Sequence, residues 1–327
     1  MANEDFNATT RSFQRQTVLN LYNSAIPTEI ISFQLDISQE EVENIMEEER
    51  KEQQKLSLKG LSPDSYSMDL FYLDAIANID LAIRRAQNSL WEALKSELKF
   101  DISMEETDKI LERFAKSKVT LVILHIDLVG STKMLMTLPV DRLSAIIQAF
   151  TKEMSLIIEA YGGYILKYIG DAILAFFIVH IIDDPYLPCL NAINCARSMI
   201  KIVRQGLNPI LDQNGYPELS VRIGIDVGDQ NAVLQYGWDI IHTLDTNKHK
   251  QIMKKPHYDI IGYTISVAVK MTGLAKPDQF IIGQLVYDAL DEKQKSAFEV
   301  LNVGTDIWSY VGSRTGVTYS VYSSIGA

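Results

Sequence analysis

Residues 119–132 read VTLVILHIDLVGST, and this stretch decides the fold of the larger part of the chain. From Val119 to Ile126 the run is β-branched and Leu-rich, the composition of a strand buried on both faces. Asp127 ends it, and Leu128-Val129-Gly130-Ser131-Thr132 follows as a turn of small residues. A strand end displays a carboxylate to solvent without burying an unpaired charge. The backbone N–H groups of such a turn suit a phosphate.

Strand and helix patterns alternate downstream of this run. Pro139 to Ala160 has helical spacing through Leu143, Ile146, Ile147, Phe150, Met154, Ile157 and Ile158. Tyr161-Gly162-Gly163 makes a turn, and Tyr164–Ile169 with Ala172–Val179 reads as a hairpin pivoting on Gly170-Asp171. Pro188–Val203 is a second helix, and Leu219–Val227 and Asn231–Tyr236 are further strands. Trp238 to His257 is polar without a core period and reads as an insertion or loop. Thr264–Leu274 is a helix, with strands at Phe280–Ile282 and Thr318–Tyr322. Interleaving of this kind predicts an α+β fold built on one sheet, a ferredoxin-like βαββαβ sandwich. Asp127 and Asp171 both end or turn buried strands, and paired carboxylates suit hard, oxygen-preferring Mg²⁺ or Mn²⁺.

The N-terminal side reads as all-α. Residues 1–50 hold short helices at Thr17–Asn23, after Pro27, and from Ser38, where Ser38 and Glu41 form a capping-box pattern. The arrangement resembles a helix-turn-helix, yet Ser38 to Glu49 carries six Glu and no Lys or Arg. Repulsion from phosphate argues against DNA and for a protein partner of these helices. Residues 51–65 read as a linker ending in Leu61-Ser62-Pro63-Asp64. Residues 66–117 are helical, and Ile76, Ile79, Ile83, Ala86, Leu90 and Ala93 recur in steps of three and four. That spacing fits a dimerising two-helix seam or an amphipathic helix packed on its own domain. Residues 118–327 form the large domain.

With 327 residues, 47% hydrophobic and 22% charged, the chain is an ordinary globular sequence long enough for more than one core. A net charge of −11 excludes a phosphate-backbone ligand held by general electrostatics, so any nucleotide site is local. The longest uncharged apolar run, Ala172–Ile182, is too short to span a bilayer, and Met1-Ala2-Asn3-Glu4 lacks the regions of a secretory signal. A cytoplasmic location is expected. Cys189 and Cys195 are read as packed thiols, being too far apart along one helix to face each other.

Four ordered motifs carry a resemblance over about residues 118–322: Ile126-Asp127-Leu128-Val129-Gly130-Ser131-Thr132; Gly162-Gly163 with Lys167-Tyr168-Ile169-Gly170-Asp171; Arg222-Ile223-Gly224-Ile225 with Gly228; and Asp259-Ile260-Ile261-Gly262. In order and spacing they resemble the catalytic domain of class III adenylate and guanylate cyclases. The resemblance implies that Asp127, Leu128 and Asp171 hold two Mg²⁺ or Mn²⁺ ions per site, and that Val129, Gly130, Ser131 and Thr132 take the phosphates. Lys167 and Asp259 match the pair that reads adenine, which favours ATP as the nucleoside triphosphate and 3′,5′-cyclic AMP with pyrophosphate as products. In the family, sites form between two such domains, so a homodimer is implied.

This sequence departs from the pattern at two positions where efficient members carry Asn and Arg. Ser266 and Lys270 stand there as the catalytic candidates. Lys lacks the planar fork of Arg, so slow turnover is the expectation. Two alternatives stay open: a catalytically degenerate nucleotide-binding signalling module, and a cyclase of GTP or a pyrimidine nucleotide, for which Tyr168 beside Lys167 would narrow the base pocket. Lys248, His249, Lys250, Lys254 and Lys255 read either as replacement cations or as a solvated loop.

Overall fold

The computed structural model describes residues 102–179, 185–244, 250–312 and 316–325, the helix over 79–95, and parts of 15–47. The expected linker, the Pro27 helix start and Lys248 and His249 lie outside the described residues.

The opening run forms β1 (Lys118–Leu128), and it is buried on both sides for the reason its composition suggests. Val122, Leu124, Ile126 and Leu128 enter the main core, whereas Leu121 and Ile123 enter a second cluster on the other face. Helix Val140–Ala160, strands β2 (Tyr164–Ile169) and β3 (Ala172–Val179), helix Tyr186–Ile202 and strand β4 (Val221–Leu244) follow in chain order. In the sheet they lie as β2-β3-β1-β4, with every neighbouring pair antiparallel. This is the expected βαββαβ arrangement, an α+β fold. β5 (Lys250–Gly262) pairs with β4, and β6 (Gln279–Gly283), β7 (Phe298–Val300) and β8 (Val321–Ser324) extend the sheet beyond β4.

Helices are numbered α1 (Thr28–Leu35), α2 (Ile79–Lys95), α3 (Glu105–Arg113), α4 (Ser131–Thr137), α5 (Val140–Ala160), α6 (Tyr186–Ile202), α7 (Asn208–Gln213) and α8 (Tyr263–Thr272). Near α1, residues 39–47 are also helical, and Ser38 Oγ accepts from the Glu41 N–H at 3.1 Å, the cap its sequence pattern predicts. Val18, Leu21, Ile31 and Val42 make a small separate core there. The apolar face of α2 that the three-and-four spacing offers to a second helix is occupied within the protomer. Ala82, Ile83, Ala86, Leu90 and Ala93 belong to the main core, and Arg85 Nε donates to Glu153 Oε2 on α5 at 2.9 Å. Both cysteines are buried and neither forms a disulfide, with burial pushing the Cys195 thiol up. Among the described residues no helix is long and apolar enough to cross a membrane.

Two expectations are overturned. The separate strands expected at Leu219–Val227 and Asn231–Tyr236 are one continuous strand, Val221–Leu244. Within the loop expected from Trp238 to His257 the described residues are strand: β4 continues to Leu244 and pairs antiparallel with β5, with Trp238 opposite Pro256 and Asp239 opposite Lys255. Leu234, Tyr236, Trp238 and Ile240 are all exposed, and a bulge at Tyr236 shifts the register between Gln235 and Gly237. A strand whose apolar residues stand in solvent and whose alternation a bulge interrupts leaves no core signature, which is why a search for core spacing misses it.

The glycines of the third motif explain the seating of α8. A Cβ on Gly224 would fall inside the contact distance of the Ala268 carbonyl oxygen and 2.8 Å from the Thr272 nitrogen, and one on Gly228 would strike Thr264 Oγ1. Helix and strand touch because these positions lack side chains. Between them, Asp226 is fully buried and accepts from the Tyr319 hydroxyl at 2.6 Å. Burial pushes its carboxyl up to about 7. A carboxyl raised from 3.8 to about 7 on folding holds its proton more tightly in the folded state, so stability falls as pH rises from about 4 to about 7. Glu159, raised by burial to about 7, adds a slope of the same sign. Asp226→Asn, which retains an acceptor for Tyr319, is expected to flatten this decline in denaturant titrations between pH 5 and 8. An unchanged slope would remove Asp226 from the account.

Candidate active site

β1 delivers Asp127 to the edge of the site. Ile126 pairs with Ile173 on β3, so one step further Asp127 comes opposite Ala172, with Asp171 next in the chain at the same end of the sheet. Gly170, with φ of 65°, makes the hairpin turn that ends at Asp171. On the other side Asp127 pairs with Arg222 of β4, whose guanidinium donates to Asp127 Oδ2 at 2.6 Å. This partner of Asp127 follows from cross-strand register, and the sequence reading gave Arg222 no role. His125, one alternation back on β1, is buried and bonded through Nδ1 to Thr272 Oγ1 of α8 at 2.9 Å. Burial holds its imidazole below the ordinary value.

The fit to a divalent cation is tested by the donors themselves. Asp171 Oδ2 is buried without a hydrogen-bond partner, a costly state for a carboxylate oxygen unless a cation or donor meets it. Arg222 engages one oxygen of Asp127 and leaves the other for a ligand. Among the described residues no group of three or more His, Cys, Asp or Glu is gathered as a metal cluster, so the side-chain donors are these two carboxylates. The residues fit a hard cation whose remaining ligands are backbone and phosphate oxygens.

In the turn after β1, the Val129 N–H donates to the Ser220 carbonyl at 2.8 Å and is therefore occupied. Gly130 takes a left-handed conformation before α4, whose first amides, Ser131 and Thr132, have no intrahelical acceptor.

Lys167 and Asp259 are brought together. Lys167 Nζ donates to Asp259 Oδ2, and Asp259 Oδ1 accepts from the Ile260 N–H at 2.8 Å. Both side chains keep part of their surface in solvent. Tyr168 does not narrow this place. It pairs with Ile173, packs on the main core, and its hydroxyl bonds Ser155 of α5 at 3.0 Å, whereas Lys167 pairs with Leu174 of the second cluster. The two side chains stand on opposite faces of β2.

Ser266 and Lys270 occupy one exposed stripe of α8, a turn apart. Thr264 and Ala268 face β4 instead. Of the lysines read as replacement cations, Lys255 is paired with Asp108 of α3.

No family model matches the chain. Two curated relatives do: a cytidylate cyclase of Staphylococcus aureus, 31% identical over 135 residues (40% of this chain, 32% of the relative), and a cytidylate cyclase of Escherichia coli, 27% identical over 177 residues (52% and 35%). The chain thus spans about a third of the length of the curated relatives it matches. Among solved structures, the adenylyl cyclase CyaB from P. aeruginosa is similar with a TM-score of 0.47 and 18% identity, over 64% of this chain and 96% of that one. The guanylyl cyclase Cya2 gives 0.46 and 17%, over 65% and 95%. The four ordered motifs lie on a βαββαβ sheet, and over part of its length the chain is similar to two proteins named as cytidylate cyclases.

Proposed function

We propose that the domain cyclises a nucleoside triphosphate whose base presents an amino group beside a bare ring nitrogen on its pairing edge, CTP ahead of ATP, at a site completed by a second copy of the chain. The observation that supports this reading is the Lys167–Asp259 pair. A carboxylate accepts from an exocyclic amine, and an ammonium donates to a bare ring nitrogen. Adenine presents that edge at N6 and N1, and cytosine at N4 and N3. Guanine and uracil present a carbonyl beside a ring N–H, which reverses both demands. The pair therefore separates amino from keto bases without separating adenine from cytosine. The sequence alone favours ATP; the names of the two curated relatives move the preference to CTP.

In the reaction the ribose 3′-hydroxyl oxygen bonds the α-phosphorus, the bond from that phosphorus to the β-phosphate oxygen breaks, pyrophosphate departs, and the hydroxyl proton passes to solvent. Asp127, Asp171 and the Leu128 carbonyl are the groups that would hold Mg²⁺ or Mn²⁺. When bound, such ions lower the cost of charge on the attacking and leaving oxygens. Arg222 orients the Asp127 carboxylate, and Gly130, Ser131 and Thr132 offer donors to the triphosphate. Ser266 and Lys270, exposed on α8, are the groups to meet ribose and phosphate of a nucleotide shared between two copies.

A second reading, a nucleotide-binding module without turnover, draws on Ser266 and Lys270 standing where Asn and Arg are expected. Steady-state kinetics of Lys167→Glu decide the base-reading part. KM for CTP and ATP is expected to rise about 10-fold or more, the weight of a base-edge contact pair, with kcat changed far less. Equal losses for all four nucleotides would count against it.

A further inference from the structure

We propose that Thr107 is a positioning residue for base recognition: its hydroxyl fixes the bulge in β2 that turns Lys167 toward Asp259. The inference rests on the base-reading role given to that pair above.

In the β2–β3 ladder Ile165 pairs with Ala175 and Lys167 pairs with Leu174, so Leu166 is an extra residue on β2. A bulge of this kind re-aims the side chains that follow it and leaves part of the ladder unpaired. Ladder partners share a face of the sheet. Lys167 therefore stands on the face of Leu174, with the second cluster, and Ile165, opposite Ala175, stands with the main core. With regular pairing Lys167 would fall opposite Ile173, on the face covered by α5, and its ammonium could not meet Asp259. The single extra residue decides on which side of the sheet the base-reading cation lies.

The Ile165 carbonyl, at the start of the bulge, accepts from Thr107 Oγ1 of α3 at 2.9 Å, and Thr107 is 5% exposed. Thr107 and Ile165 are both buried, so loss of the donor would leave that carbonyl short of a partner away from solvent. The same helix grips the other strand of the pair. Asp108, the next residue, binds Lys255 of β5, four residues before Asp259, and Ile110 and Leu111 pack in the cluster that contains Leu166 and Ile260. Thr107, Ile110 and Leu111 form the buried side of α3 at steps of three and four. One short helix, immediately upstream of β1, thus holds both strands that present Lys167 and Asp259.

The experiment compares Thr107→Val, which keeps the shape and removes the donor, with Thr107→Ser, which keeps the donor. In the full chain, Thr107→Val is expected to raise KM for CTP and ATP about 5–10-fold with kcat within about twofold, the fold-change of one lost buried hydrogen bond. Amide hydrogen exchange over residues 165–169 should quicken by about the same factor while β1 is unchanged, and Thr107→Ser should restore both readouts. A uniform loss of kcat with all four nucleotides, or unchanged exchange over 165–169, overturns the proposal. If the wild-type chain cyclises no nucleotide, the catalytic reading fails. Exchange together with equilibrium binding of CTP against GTP then decides the role of Thr107 by the same criteria.

Discussion

Replacing Asp127 by Asn lowers kcat/KM by about 10³-fold or more, the size expected when charge stabilisation of a phosphoryl centre is removed. Asn is nearly isosteric and still offers an oxygen to Arg222, which now donates to Asp127 Oδ2. The strand end should therefore remain folded, and the loss should appear in turnover rather than in the melting curve. Asp171→Asn should match it, because its Oδ2 has no protein partner whose loss would disturb packing. The check is the initial rate of pyrophosphate release with Mn²⁺, set beside thermal unfolding of each variant. Retention of more than about a tenth of the wild-type rate by either variant, against the expected 10³, would remove that carboxylate from the site.

Gly224→Ala has the largest expected effect on stability, a loss of about 3 kcal/mol or more, at the upper end of overpacking costs. The added methyl group meets the Ala268 carbonyl and the Thr272 amide, which are helix backbone and cannot rotate away. α8 has to lift from β4, which breaks the His125–Thr272 contact and shifts Ser266 and Lys270. Activity should therefore fall with stability. Gly273→Ala, just past the same helix at φ of −67° and with only one close neighbour, is the control and should cost under about 1 kcal/mol. Denaturant midpoints of the two variants measure the difference, and equal midpoints would show that helix and strand are not in close contact at Gly224.

Much of the fold is legible in the sequence because burial imposes its period. β1, the β2–β3 hairpin and the two helices between the first four strands lie within a residue or two of their expected bounds, since each faces a core that demands apolar residues at fixed steps. The β4–β5 ribbon is hidden because Leu234, Tyr236, Trp238 and Ile240 all stand in solvent and a bulge at Tyr236 breaks the alternation. The repeat on α2 is real but does not say what covers it, and the cover is α5 of the same chain. Of the candidate site residues, Asp127, Asp171, Lys167 and Asp259 stand out in the sequence because each sits at a strand end or inside a compact motif. Arg222 and Thr107 are not, because their contacts depend on strand register and on a bulge, which no local pattern encodes. The doubt about Tyr168 has the same origin. A one-residue bulge decides whether adjacent side chains share a face, and here Tyr168 and Lys167 do not.

The account stands on cyclisation of an amino-base triphosphate. Its most direct test incubates the purified chain with CTP, ATP, GTP and UTP separately in the presence of Mn²⁺ and identifies the products by mass, with Asp127→Asn as the blank. Cyclic CMP is expected as the main product, cyclic AMP as the lesser, and neither cyclic GMP nor cyclic UMP above the blank. Binding of CTP or ATP with metal but no cyclic product from any of the four, or cyclic GMP or cyclic UMP as the main product, would contradict it.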